Sequence, residues 1–248
     1  MHGCAAVREP VLGTGASRTG PQPRRAVGPW IVPWTVFDHP TGAVRPAMRG
    51  LLHAGALLVA VPAGVLLLWR ASTGRPVAAI YVGSLLLVLG VSAGYHRLTR
   101  SPRAQQVMSR LDHGAIFVLI AGTYTPIVVI AVPRPYSVVL LSLVWVLAAL
   151  AATGRILRKL PRLSASMYVV VGWLAVPALP WLVHYSVPVA AGLVLGGLCY
   201  TAGAVLFALR RPIGWPRVFG YHEFFHVFTL GGLVSHFLCV AAIVRVAL

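Results

Sequence analysis

Seven runs of mostly apolar residues leave this chain little choice of fold. Each is close to the roughly 20 residues that carry an α-helix across about 30 Å of hydrocarbon. They lie at 50–69, 77–96, 111–132, 137–153, 164–184, 189–209 and 221–244. Lipid offers no partner for backbone N–H and C=O groups, so a run of this length must satisfy them internally, as a helix. The expected fold is therefore all-α: a bundle of seven transmembrane helices occupying residues 49–248. Pro62, Pro126, Pro177 and Pro180 fall inside spans, which membrane helices tolerate when neighbours satisfy the freed carbonyls. Small residues crowd the sixth run, among them Gly192, Gly196, Gly197 and Gly203, and predict close helix packing there.

Composition excludes a water-soluble domain. The chain is 58% hydrophobic and 10% charged with a mean hydropathy of +0.82, where soluble proteins carry about 25% charged residues. The formal charge of +17 would suit nucleic acid. However, the arginines stand in short clusters between apolar runs, so no nucleic-acid partner is expected. Arginine outnumbers lysine 20 to one, a bias that the codons of a GC-rich genome produce without any functional cause. Cys4, Cys199 and Cys239 have neither disulfide nor zinc-site spacing. Residues 1–48 form a basic, Pro/Gly-rich segment, as in Gly20-Pro21-Gln22-Pro23-Arg24-Arg25. It reads as a disordered tail, with Trp30 and Trp34 resting at a membrane interface. No apolar stretch follows a basic start, so no cleaved signal peptide is expected.

Basic residues orient the bundle. Six precede the first run, four lie between the second and third, four between the fourth and fifth, and three between the sixth and seventh. The opposite side has only Arg70, Arg75, Arg134 and Arg245. The positive-inside rule then predicts a multi-pass protein of the cell membrane with a cytoplasmic N-terminus and an outside C-terminus.

That orientation brings distant polar residues to one depth. Of four acidic residues, Glu9 and Asp38 lie in the tail, while Asp112 and Glu223 sit at the margins of apolar runs. Ionisable groups there are costly and suggest function. Ser92 and His96 fall at the cytoplasmic end of the second span, Asp112 at the cytoplasmic start of the third, and His222 and His226 at that of the seventh. Ser92/His96 and His222/His226 are each i, i+4 pairs sharing a helix face. Three histidines on two helices suit a zinc ion with an open fourth position. Such an ion lowers the pKa of a bound water to about 7. Asp112 could hold and deprotonate that water, and Ser92 could hydrogen-bond water or substrate.

The remaining histidines read differently. His184 and His236 are expected to be helix-packing donors, and His236 lies about 15 Å beyond His226 along a helix. His113 points away from Asp112's face, which suits packing or outer support of the site. His53, near the cytoplasmic end of the first span, reads more readily as packing than as part of the group. His222-Glu223-Phe224-Phe225-His226 also matches the His-Glu-x-x-His signature of zinc proteases. Yet the motif is in the last span, no Asp-Gly ligand motif follows it, and His96 already offers a third ligand. Glu223 is therefore expected at headgroup level, pairing with loop arginines.

The strings Ser92-Ala93-Gly94-Tyr95-His96, Leu111-Asp112-His113, Ala121-Gly122-Thr123-Tyr124-Thr125-Pro126 and Gly220-Tyr221-His222-Glu223-Phe224-Phe225-His226 closely resemble the bacterial hemolysin III family. That family belongs with the progestin and adipoQ receptors, including the adiponectin receptors. The resemblance covers about residues 46–244. It implies seven helices, an inside N-terminus, zinc on His96, His222 and His226, Asp112 on the metal-bound water and Ser92 nearby. The wider superfamily includes alkaline ceramidases and implies hydrolysis of a lipid amide or ester, with a membrane lipid as substrate. The alternative is a non-enzymatic sensor or effector, cytolytic as the family name suggests, in which zinc is structural and lipid is a ligand. Haem ligation and proton transport are weaker readings of the same histidines.

Overall fold

The computed structural model describes residues 46–71, 74–157, 164–212, 214–215 and 218–246. Residues 1–45, and with them the reading of Trp30, Trp34 and most of the tail, lie outside the described residues. Seven helical segments among those described are long and apolar enough to cross a membrane. The described residues form no β-strand, only an isolated bridge between Trp215 and Phe219.

The chain runs through α1 (Leu51–Arg70), α2 (Arg75–Leu98), α3 (Pro102–Ala131) and α4 (Tyr136–Ile156). The fifth span is broken into α5 (Ser164–Trp173), a 3₁₀ turn (Val176–Ala178) and α6 (Leu179–Tyr185). Then come α7 (Val187–Leu209) and α8 (Tyr221–Val246). All seven expected spans are present. One boundary differs in a way that matters, because α3 starts well before its apolar run. The Ser101 side chain accepts from the Ala104 N–H at 3.1 Å and Pro102 occupies the first turn, a strong local start signal. Hydropathy marks where a helix enters lipid, whereas caps mark where it begins. Asp112 is consequently not at the start of its helix but about three turns inside it.

The break in the fifth span follows from Pro177 and Pro180. A proline cannot donate to the preceding turn. The Tyr124 hydroxyl from α3 lies 3.1 Å from the Val171 carbonyl and 2.8 Å from that of Gly172, at the end of α5. It thereby satisfies groups that lipid could not. A narrow cavity of about 70 Å³ adjoins the break, lined in part by Tyr124, Trp173, Leu182 and His236.

α3 is the central helix, with 67% of its apolar window buried against 11% for α7. α2 and α4 pack on α3, α1 packs on α2, and α8 contacts α1, α3 and α7. The α7–α8 seam uses the small residues of the sixth run. A Cβ on Gly192 would lie 2.6 Å from the Cys239 sulfur, and one on Gly196 would collide with the His236 ring. Close approach of backbones is how membrane helices gain packing energy without a hydrophobic drive between them. Outer faces carry large exposed apolar side chains such as Leu58, Val59, Trp69, Val139, Leu150 and Leu195. Such bands are solvated by lipid, and the chain is a multi-pass membrane protein.

Candidate metal centre

The polar residues singled out above gather at one end of the bundle. Near its C-terminus α2 presents Ser92 and His96, both buried. α8 opens with His222 and His226, half-buried and buried respectively. The 3.6-residue period sets each pair on one face, and the packing of α8 near α2 turns those faces together.

His96 Nε2 stands 3.3 Å from His222 Nε2. The His222 and His226 ring centroids are 4.5 Å apart, and those of His96 and His226 5.3 Å. One nitrogen from each of the three rings lies within 4.8 Å of the others, so the group can hold a metal ion. Two observations test the fit. Nitrogens bound at 2.0–2.1 Å to one tetrahedral ion stand about 3.3–3.4 Å apart, which matches the His96–His222 spacing. His226 Nε2 is buried with no hydrogen-bond partner. An unmet buried group of this kind costs about 1–3 kcal/mol, and a shared cation removes that cost.

Ser92 stands beside the cluster rather than in it: its hydroxyl meets His53 Nδ1 at 2.7 Å, and the Asp112 carboxyl neighbours Ser92. His53 in turn places Nε2 at 3.2 Å from His226 Nδ1, with ring centroids 4.1 Å apart. His53 thus belongs to the site, contrary to the packing role expected of it. The available signal was its position, a buried imidazole at the right end of the first span, but its direction depends on how α1 rotates against α8.

Glu223 pairs with an arginine, as expected, and is fully buried by the protein around it. One carboxylate oxygen accepts from Arg49 Nε at 2.8 Å and the other from the Gly220 N–H at 2.8 Å. It therefore caps α8 and ties it to the segment before α1, where Met48 N–H also bonds the Val218 carbonyl at 3.2 Å. Both oxygens are engaged away from the histidines, which disfavours the general-base role of a His-Glu-x-x-His protease. Glu223→Gln should keep the cap and lose the charge pair, and Glu223→Ala should lose both. Thermal unfolding of the detergent-solubilised protein should rank wild type above Gln above Ala. The alanine should cost about 3 kcal/mol, the low end for a broken buried pair because Arg49 still reaches solvent.

Gly50 supports the centre from beneath. Its φ is +79°, and a Cβ there would stand 2.6 Å from His96 Cβ. Only glycine meets both demands cheaply. His113 bonds the Ser109 carbonyl on its own helix, and His236 the Leu193 carbonyl at 3.1 Å, both consistent with packing. His184 is exposed on α6, not packed between helices.

Fold and site together define a seven-helix membrane protein with a buried three-histidine cluster at one end of its bundle. Residues 41–237 match the model of the haemolysin-III related family, and the chain belongs to that family. It is 31% identical over 200 residues to Hemolysin-3 of Bacillus cereus, covering 77% of this chain and 88% of that protein. The Hemolysin-3 homolog of Bacillus subtilis (strain 168) is 32% identical over 202 residues, covering 77% and 91% respectively. The relation extends to the heptahelical transmembrane protein ADIPOR2 of Oryza sativa subsp. japonica, 34% identical over 181 residues, with 65% and 79% covered.

Proposed function

We propose that this protein is a membrane-embedded zinc hydrolase that cleaves an amide or ester of a long-chain lipid, with its site near the cytoplasmic leaflet of the plasma membrane. The observation carrying this reading is a ligand group of three histidines with no fourth protein donor among the described residues. Structural zinc sites are usually closed by a fourth protein ligand, whereas catalytic ones keep that position open. Zinc held there supplies Lewis acidity and a water that ionises near neutral pH.

The chain's own residues supply the rest. His96, His222 and His226 hold the ion as neutral donors. Asp112 takes a proton from the attacking water and returns it to the leaving amine or alcohol, the usual duty of a carboxylate that works as base and then acid. Ser92, next to Asp112, donates to its carboxylate and fixes its orientation in this reading. The apolar helices around the cluster keep bulk water out, and an acyl chain would enter from the side, between helices.

Metal analysis of the purified protein in lipid nanodiscs, with mass spectrometry of fatty-acid release from long-chain amides and esters, tests the reading. About one zinc per chain with zinc-dependent release is expected. Absence of stoichiometric zinc overturns the metal reading. Zinc present without turnover of any lipid, in cells or in nanodiscs, overturns the enzyme reading in favour of a sensor or effector.

A further inference from the structure

We propose that His53 is a positioning residue that links the metal centre to Asp112 through a one-way chain of hydrogen bonds, His226 to His53 to Ser92 to Asp112. This rests on the metal reading above and adds a residue and a role to it. Geometry carries the first two links, through α8, α1 and α2: His226 Nδ1 is 3.2 Å from His53 Nε2, and His53 Nδ1 is 2.7 Å from Ser92 Oγ. The last link, from Ser92 to the neighbouring Asp112 carboxyl on α3, is part of the proposal.

The direction of the chain follows from donor and acceptor rules. A neutral imidazole carries one N–H and one lone pair. His226 Nε2 is the nitrogen left without a partner, so it is the one that offers its lone pair to the ion. Its hydrogen then sits on Nδ1 and is donated to His53 Nε2. That makes His53 Nε2 an acceptor and leaves the His53 hydrogen on Nδ1, donated to Ser92 Oγ. The Ser92 hydroxyl hydrogen is left to point at the carboxylate, which as an anion only accepts. Every link forces the next, and the polarity runs from cation to anion. Ligating histidines commonly donate their second nitrogen to an outer partner that fixes ring and tautomer. Here that partner is itself a histidine, and the carboxylate stands two residues further on.

Two consequences separate this role from plain packing. Cutting the chain anywhere should weaken metal binding, even though His53, Ser92 and Asp112 lie outside the three-nitrogen group. The effects should also fail to multiply, because a chain already cut has little more to lose.

The test is zinc affinity of the full chain in detergent, measured by competition with a chelator, for wild type, His53→Ala, His53→Gln, Ser92→Ala, Asp112→Ala and the His53→Ala/Asp112→Ala double variant. His53→Ala should bind zinc roughly 10- to 100-fold more weakly. His53→Gln, whose amide carries one acceptor and one donor group, should recover most of the loss. The double variant should be no weaker than His53→Ala. A folded His53→Ala with wild-type affinity overturns the proposal, as does a double variant whose loss is the product of the two single losses. If His53→Ala does not fold, Ser92→Ala cuts the same chain one link on, and wild-type affinity there overturns it equally. Wild type that binds no zinc defeats the underlying metal reading instead, so the two failures are told apart.

Discussion

Alanine at His96, His222 or His226 is expected to strip the protein of zinc. Metal content after dialysis should fall from about one per chain to near zero in each single variant. Two imidazoles cannot compete with water as three can, and the chain offers no substitute: among the described residues no other side chain joins the group. The loss should exceed the roughly 10- to 100-fold change that removal of an outer hydrogen-bond partner brings. Chelation of wild type should lower its thermal midpoint, since an ion bound only by the folded form stabilises it by mass action. His236→Ala serves as the control. That histidine is half-buried and intramembrane but lies about 15 Å along α8 from His226, and its replacement should leave metal content unchanged. Zinc retained by any of the three ligand variants would contradict the assignment.

Asp112→Asn is expected to do the opposite: keep zinc and lose turnover. Asparagine preserves size and still accepts from Ser92, so the cluster keeps its three nitrogens, with affinity reduced only by the weakened outer chain. It cannot take a proton. General acid–base assistance contributes about 10²- to 10⁴-fold, and fatty-acid release by the zinc-loaded variant should fall within that range. Normal release from the loaded Asp112→Asn protein would remove Asp112 from the chemistry while sparing the metal centre. A lipid profile unchanged in cells, with a phenotype lost, would favour a sensor whose metal is structural.

Much of this protein was legible in its residues. Seven apolar runs predict seven spans because lipid leaves backbone groups no external partner. Two i, i+4 pairs are legible because helix periodicity alone puts Ser92 with His96 and His222 with His226. Alternation of span direction, with basic residues on one side, sets those pairs and Asp112 at one depth. Three things escaped. Hydropathy misses the start of α3 because Ser101 and Pro102 extend the helix beyond its apolar part. The burial of Glu223 is not legible in sequence because its partner, Arg49, is separated from it by nearly the whole bundle in sequence and adjacent to it in space. The role of His53 is not legible in sequence because depth along a helix says nothing about its rotation.

The sequence by itself determined the fold class, the number of spans, and the layer in which polar groups would collect, since each follows from local hydropathy and helical period. Only the tertiary structure decided which of those groups touch. The lateral order and rotation of helices come from close packing of small residues such as Gly192 and Gly196 against α8, and from contacts between residues far apart in the chain. That packing turns His53 toward His226 and Ser92, turns Glu223 away toward Arg49, and makes a three-histidine pocket out of residues that share a depth.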